Sequence, residues 1–112
     1  MAELVTTGTW QVPPAREAAF VEAWTLFAEW ASSMPGSTTL RLGLDLARPG
    51  RFISFAAWQD ADAVRAWKRA PEFRERLAQV VLHVEGFAAA ELDVVATATH
   101  GLRGLAAAHR AG

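Results

Sequence analysis

Apolar positions change period several times along the chain, and each change predicts an element. Leu4, Thr6, Gly8, Trp10 and Val12 alternate with Val5, Thr7, Thr9 and Gln11, so the Thr- and Val-rich run from Glu3 to Val12 predicts a strand. Pro13-Pro14 stops it, and Pro14 can occupy the first turn of a helix. From Ala15 to Ser33 the spacing is helical. Phe20, Trp24, Phe27 and Ala31 recur at three and four residues, flanked by Ala23, Leu26 and Trp30, with Glu17, Glu22 and Glu29 outside the stripe. Met34-Pro35-Gly36-Ser37 is a turn. Thr38 to Leu46 alternates again, with Leu40, Leu42, Leu44 and Leu46 against Thr39, Arg41, Gly43 and Asp45, and Ala47-Arg48-Pro49-Gly50 reverses the chain.

The strand that follows, Phe52 to Trp58, is different because it is apolar on both faces. Phe52 and Trp58 point one way, Ile53 and Phe55 the other, and neither set can be left in water. Gln59-Asp60-Ala61-Asp62 ends it, and Asp60 suits a helix N-cap. Ala61, Val64 and Trp67 then recur at helical spacing, which carries Trp67 inward. Pro71 restarts the helix, whose apolar face is Phe73, Leu77, Val80 and Val84. After Gly86, Phe87 to Val95 predicts a last strand, with Ala88, Ala90, Leu92 and Val94 on one side and Phe87, Glu91 and Asp93 on the other.

The element order is β-α-β-β-α-β, a ferredoxin-like α+β arrangement with a four-stranded antiparallel sheet. That topology puts the strands in the order 4-1-3-2 and the two helical segments on one face. Phe52 or Ile53 with its neighbours would then lie bare on the other face, and a bare apolar sheet seeks a partner. A two-fold homodimer joined sheet to sheet is the expected solution. Residues 1–96 form the domain on this reading. Residues 97–112 form an Ala- and Gly-rich tail, either a short helix around 102–108 or a frayed end.

Composition narrows the classes of partner. The chain of 112 residues is half apolar, with five Trp and six Phe, more aromatic surface than folding alone needs. Net charge is −1 and no basic stripe stands out, so neither nucleic acid nor an anionic membrane is expected. No cysteine is present, hence no disulfide, thiolate nucleophile or iron–sulfur ligand. No signal peptide or membrane-length apolar run is evident, and a cytoplasmic protein is expected.

Candidate chemistry is sparse. His83, at the margin of the last helix's apolar face, has an imidazole suited to general-base work, although a lone histidine there is more often a boundary residue. Arg41, on the polar side of the second strand, could hold an enolate or carboxylate, or could pair with Asp45 or a partner's acid. Trp24 suits plain core packing. With Phe27, Trp58 and Phe73 it is also the set from which a ligand wall could be built. Neither Asp60 with Asp62 nor Glu91 with Asp93 has the marks of a buried acid–base couple. His100 and His109 are too far apart to suggest a metal motif, so no metal site is expected.

Taken together, Pro35-Gly36 after the first helix, Phe52-x-x-Phe55-x-x-Trp58, the helix start Gln59-Asp60-Ala61-Asp62-Ala63, Trp67, Pro71-Glu72-Phe73 and Leu92-Asp93-Val94-Val95 resemble the antibiotic biosynthesis monooxygenase (ABM) domain family of the dimeric α+β barrel superfamily. The resemblance runs over roughly residues 3 to 95. It implies a cleft between helices and sheet that holds a flat hydrophobic molecule. Some members oxidise aromatic polyketides with dioxygen and no metal or flavin, others degrade haem, and in both a tryptophan matching Trp67 serves the site. The haem-degrading branch has a histidine ten residues after that tryptophan, where this chain has Leu77, and both branches use an asparagine that this chain lacks, along with any tyrosine. What the resemblance implies is therefore a cofactor-independent monooxygenase acting on a hydrophobic aromatic small molecule, with Trp67 as the matching site residue; His83 and Arg41 join it as candidate catalytic residues from the residue reading above. The alternative is a non-catalytic homodimer of the same fold that binds a hydrophobic ligand or a partner protein.

Overall fold

A computed structural model describes residues 3–99, so most of the tail expected from 97 onward, with its possible short helix, lies outside the described residues. The elements are β1 (Leu4–Gln11), one 3-10 turn (Pro14–Arg16), α1 (Glu17–Ser32), β2 (Ser37–Leu44), β3 (Arg51–Trp58), α2 (Ala61–Arg69), α3 (Pro71–Val81) and β4 (Gly86–Asp93). The strands form one sheet in the order β2-β3-β1-β4, every neighbouring pair antiparallel. This is the ferredoxin-like arrangement the spacing predicts, with β3 and β1 central and β2 and β4 at the edges.

Parity in the two central strands decides what is core. Leu4, Thr6 and Trp10 of β1 and Phe52, Ser54, Ala56 and Trp58 of β3 are buried under the helices. The odd-numbered residues of both strands face away. Of the two possibilities for the bare face, the structure selects Ile53 and Phe55: Ile53 is half-buried and Phe55 is 47 % exposed, while Phe52 is in the core. Arg41, Phe55, Thr7 and Ala90 form one cross-sheet row on that bare side; Gly43, Ile53, Thr9 and Ala88 form the next.

The helices are placed by the residues their sequences predict. In α1 the stripe Phe20, Trp24, Phe27 and Ala31 is buried. Leu26 departs from the expected pattern, lying well exposed beside Arg76, Gln79 and His83, because it sits off the sheet-facing side toward α3. Asp60 caps α2, its Oδ1 accepting from the Ala63 amide at 2.9 Å. Ala70 leaves helical geometry and Pro71 restarts the chain as α3, so the second helical run is two short helices at an angle. Gly36 has φ +86° and a Cβ there would stand 2.5 Å from that of Ala63, so only glycine lets the α1–β2 turn lie against the start of α2.

Two strand ends differ from the alternation. β2 ends at Leu44 rather than Leu46, because Asp45 turns the chain: its Oδ1 accepts from the Ala47 amide, and Leu46 is left exposed. A register shift between Ser37 and Thr39 starts the same strand. All eight residues of β4 are exposed, on its helix-side face too, since it is an edge strand that the helices do not cover. That uncovered strip is where the interior opens. No helix of the described residues is long and apolar enough to cross a membrane.

Candidate ligand cavity under the helices

Between α1, α2 and α3 above and β1, β3 and β4 below lies a half-open cavity of about 220 Å³. A dry cavity of about 150 Å³ accepts benzene, so this one has room for a single ring with substituents or a small fused pair. Its walls are aromatic: Trp24 and Phe27 from α1, Trp67 from α2, Phe73 from α3, and Trp10 and Phe87 from the sheet. The walls hold one another in place. Trp67 stacks on Trp58 at 4.6 Å between ring centroids, meets Phe73 edge-on at 4.9 Å and Phe27 at 5.9 Å. At the other side Phe87 stacks on Trp10 at 4.1 Å, and Trp10 leans on Phe20. Such pairs contribute roughly 0.5–1.5 kcal/mol each beyond their buried area.

The indole N–H groups of Trp10 and Trp58 differ from that of Trp67. Trp10 Nε1 donates to Ser54 Oγ at 3.0 Å, and Trp58 Nε1, in a side chain with no exposed surface, donates to Thr6 Oγ1 at 3.2 Å. Gly8 makes the first bond possible, because a Cβ there would stand 2.8 Å from both the Ser54 hydroxyl and the Trp10 nitrogen. Trp67 is 6 % exposed and its Nε1–H has no hydrogen-bonding partner among the described residues. Among the described residues the other such buried side-chain donor is Arg51 Nε, which still stands 3.6 Å from the Asp45 carboxylate. A buried donor left without an acceptor costs about 1–3 kcal/mol, so a ligand oxygen that accepted from Trp67 would recover it. Thr6→Val should give the reverse at Trp58: the indole loses its acceptor, and stability in urea titration falls by about 1–3 kcal/mol.

Of the residues singled out from sequence, the cavity brings together Trp67, Trp24, Phe27 and Phe73. Trp58 is one layer removed, as the ring on which Trp67 stacks. His83 and Arg41 lie elsewhere. His83 follows α3 and its Nδ1 accepts from Arg16 Nη1 at 3.3 Å, joining the ends of α1 and α3. Arg41 is exposed on the bare side of the sheet, across from Phe55. Sequence reasoning passed over Ser54 and Thr6, which are buried only because β3 and β1 are central, and Lys68, which lines the cavity beside Trp67. Lys68 could have been noticed as the one lysine of the chain. Among the described residues no cluster of His, Asp or Glu could hold a metal ion.

Comparison with known proteins adds to this geometry. No curated protein matches the chain. Several solved structures share its fold: SnoaB, a cofactor-independent oxygenase from Streptomyces nogalater, superposes with a TM-score of 0.76 at 19 % identity, over 88 % of this chain and 97 % of that one. A conserved protein from Methanosarcina mazei Go1 superposes with a TM-score of 0.74 at 15 % identity, over 82 % and 92 % of the two chains. The sequence profile described as antibiotic biosynthesis monooxygenase matches residues 4–79, from the first strand through nearly all of α3. With the ferredoxin-like sheet and the aromatic cavity beneath its helices, that match makes this chain a member of the antibiotic biosynthesis monooxygenase family.

Proposed function

We propose that this protein is a cofactor-independent monooxygenase of a small aromatic substrate, working as a homodimer. The observation that carries the reading is the unpartnered, buried Trp67 N–H in a wall of a cavity otherwise made of aromatic and apolar side chains. The family supports oxygenase chemistry, and the size and lining of the cavity support a flat ring as its occupant.

In this scheme the substrate is a hydroquinone-like ring, or an anthrone-like molecule that seats two of its three rings and leaves the third at the open side of the cavity, and its deprotonated form is electron-rich enough to reduce dioxygen. For an anthrone-type carbon, the substrate loses a proton and the resulting anion passes one electron to dioxygen. The two radicals combine at carbon to a hydroperoxide, and loss of water leaves a carbonyl. One oxygen atom of dioxygen ends in the product and the other in water, whose two hydrogens come from the substrate. Trp67 would hold the phenolate or carbonyl oxygen through Nε1, while Trp24, Phe27 and Phe73 fix the plane of the ring and exclude water. His83 and Arg41 stand outside the cavity, so within one subunit they have no part in this scheme.

Dioxygen uptake with a panel of anthrones and hydroquinones tests the reading. Uptake above the protein-free rate for at least one of them, lowered at least tenfold in Trp67→Phe, is the expected result. Rates equal to the protein-free control across the panel would instead favour a ligand-binding homodimer without catalysis, the reading to which the absence of Asn and Tyr points.

A further inference from the structure

We propose that Lys68 supplies the counter-charge for the cavity's ligand, which is an acidic phenol or aryl acid bound as its anion. This rests on the reading that the cavity holds an aromatic ring, and adds the charge that ring must carry.

Among the described residues Lys68 is the only charged one lining the cavity, and no acidic one lines it. It follows Trp67 on α2, so one short helix brings to the cavity lining both an ammonium-bearing side chain and an indole whose buried N–H has no partner among the described residues. The Lys68 Nζ contacts Glu91 Oε2 at 2.6 Å, reaching from α2 to the edge strand β4. Glu91 stands on the helix-side face of β4, four residues from Phe87 and two from Ala89, both of which line the cavity, but does not line it itself. The ion pair therefore lies at the uncovered strip where the cavity opens.

Both side chains are exposed, Lys68 at 37 % and Glu91 at 47 %, and pairs this open are held weakly. An anion whose aromatic body is buried against Trp67 and Phe73 can take over the ammonium from Glu91 at little cost. The reverse charge is disfavoured, since a cationic ligand would face Lys68 with no lining carboxylate to offset it. Lysine suits this exchange. It is a compact point charge on a flexible stem, able to swing between two acceptors, where a guanidinium would favour one fixed bidentate partner. The other ten basic residues of the chain are all arginines.

The test uses 4-nitrophenol, whose phenolate is read by its visible absorption, and 4-nitroanisole, a neutral ring of nearly the same shape. With saturating protein the bound phenol should ionise at lower pH than the free one, equivalent to about a three- to fivefold preference for the phenolate. Lys68→Met should abolish that preference and leave 4-nitroanisole affinity unchanged. Glu91→Gln should enlarge the preference, and added salt should reduce it in the wild type. Equal phenolate preference in the wild type and Lys68→Met overturns the assignment of Lys68 while the cavity reading stands. Failure of both probes to bind overturns the two together.

Discussion

Trp67→Ala is expected to lower stability by about 3–5 kcal/mol, the cost of removing a large buried aromatic from a site that cannot collapse. The site cannot collapse because its neighbours are themselves fixed. Trp58, on which the indole stacks, is tied to Thr6, and Phe73 is carried on a helix that begins at Pro71. Trp67→Phe separates packing from hydrogen bonding. The Nε1–H has no partner among the described residues, so its loss orphans no acceptor there, and the stability cost should be confined to ring size, about 1–2 kcal/mol. Ligand binding should respond in the opposite proportion. A ligand oxygen held by Nε1 would lose that bond entirely, weakening affinity for a quinone or phenolate by about five- to thirtyfold, or about 1–2 kcal/mol. Urea denaturation and calorimetric titration on the same two variants give both numbers. Unchanged ligand affinity in Trp67→Phe would remove the indole donor from the site and leave it a packing residue.

The fold was readable from periodicity because its signals were redundant. Phe52–Trp58, apolar on both sides, has to be central, and the clean alternation after Thr38 has to be an edge; those two facts with the element order leave little choice of sheet. The exceptions have local causes. Leu46 continues the alternation in sequence, but the Asp45 side chain captures the Ala47 amide and the ladder ends two residues early. Leu26 belongs to the apolar stripe by type, yet lies beyond the sheet-facing side of α1.

The cavity was only half readable, for a different reason. Trp24, Phe27, Trp67 and Phe73 are inward on their own elements, and inwardness is what periodicity reports. Which inward rings border empty space and which fill it depends on how three helices sit over a sheet, information that no single element contains. Trp58 and Trp67 are chemically identical residues nine apart; one is enclosed with its N–H bonded, the other borders the cavity and its buried N–H has no partner among the described residues. Arg41 and His83 have suitable chemistry, but their positions on the polar side of a strand and at the margin of a helix face already point to structural roles. β2 turns the first to the bare side, and a bond from Arg16 engages the second.

Phe55→Asp is expected to convert a dimer into a monomer. The side of the sheet away from the helices carries Val5, Ile53, Phe55, Ala57, Ala88, Ala90 and Leu92, with threonines and Arg41 among them. Phe55 stands on a central strand, 47 % exposed within one subunit, and Leu92 is 49 % exposed at the edge. A two-fold contact across this face would bury the order of 800 Å² per subunit, the size of an ordinary stable interface. Symmetry places each substitution there twice, so two carboxylates would be taken out of water for every dimer formed. Arg41 stands across the sheet from position 55 and can pair with the new carboxylate, so the cost is that of desolvating two ion pairs per dimer, and the dissociation constant should rise by at least about a hundredfold. Within the subunit the same change replaces a half-exposed ring, so unfolding of the isolated chain should shift by about 1 kcal/mol or less. Sedimentation equilibrium at micromolar concentration should therefore give a dimer for the wild type and a folded monomer for Phe55→Asp, with Leu92→Asp weakening the dimer less because it lies at the rim. A wild type that sediments as a monomer, or a Phe55→Asp variant that remains as dimeric as the parent, would show that this face is not where two copies meet.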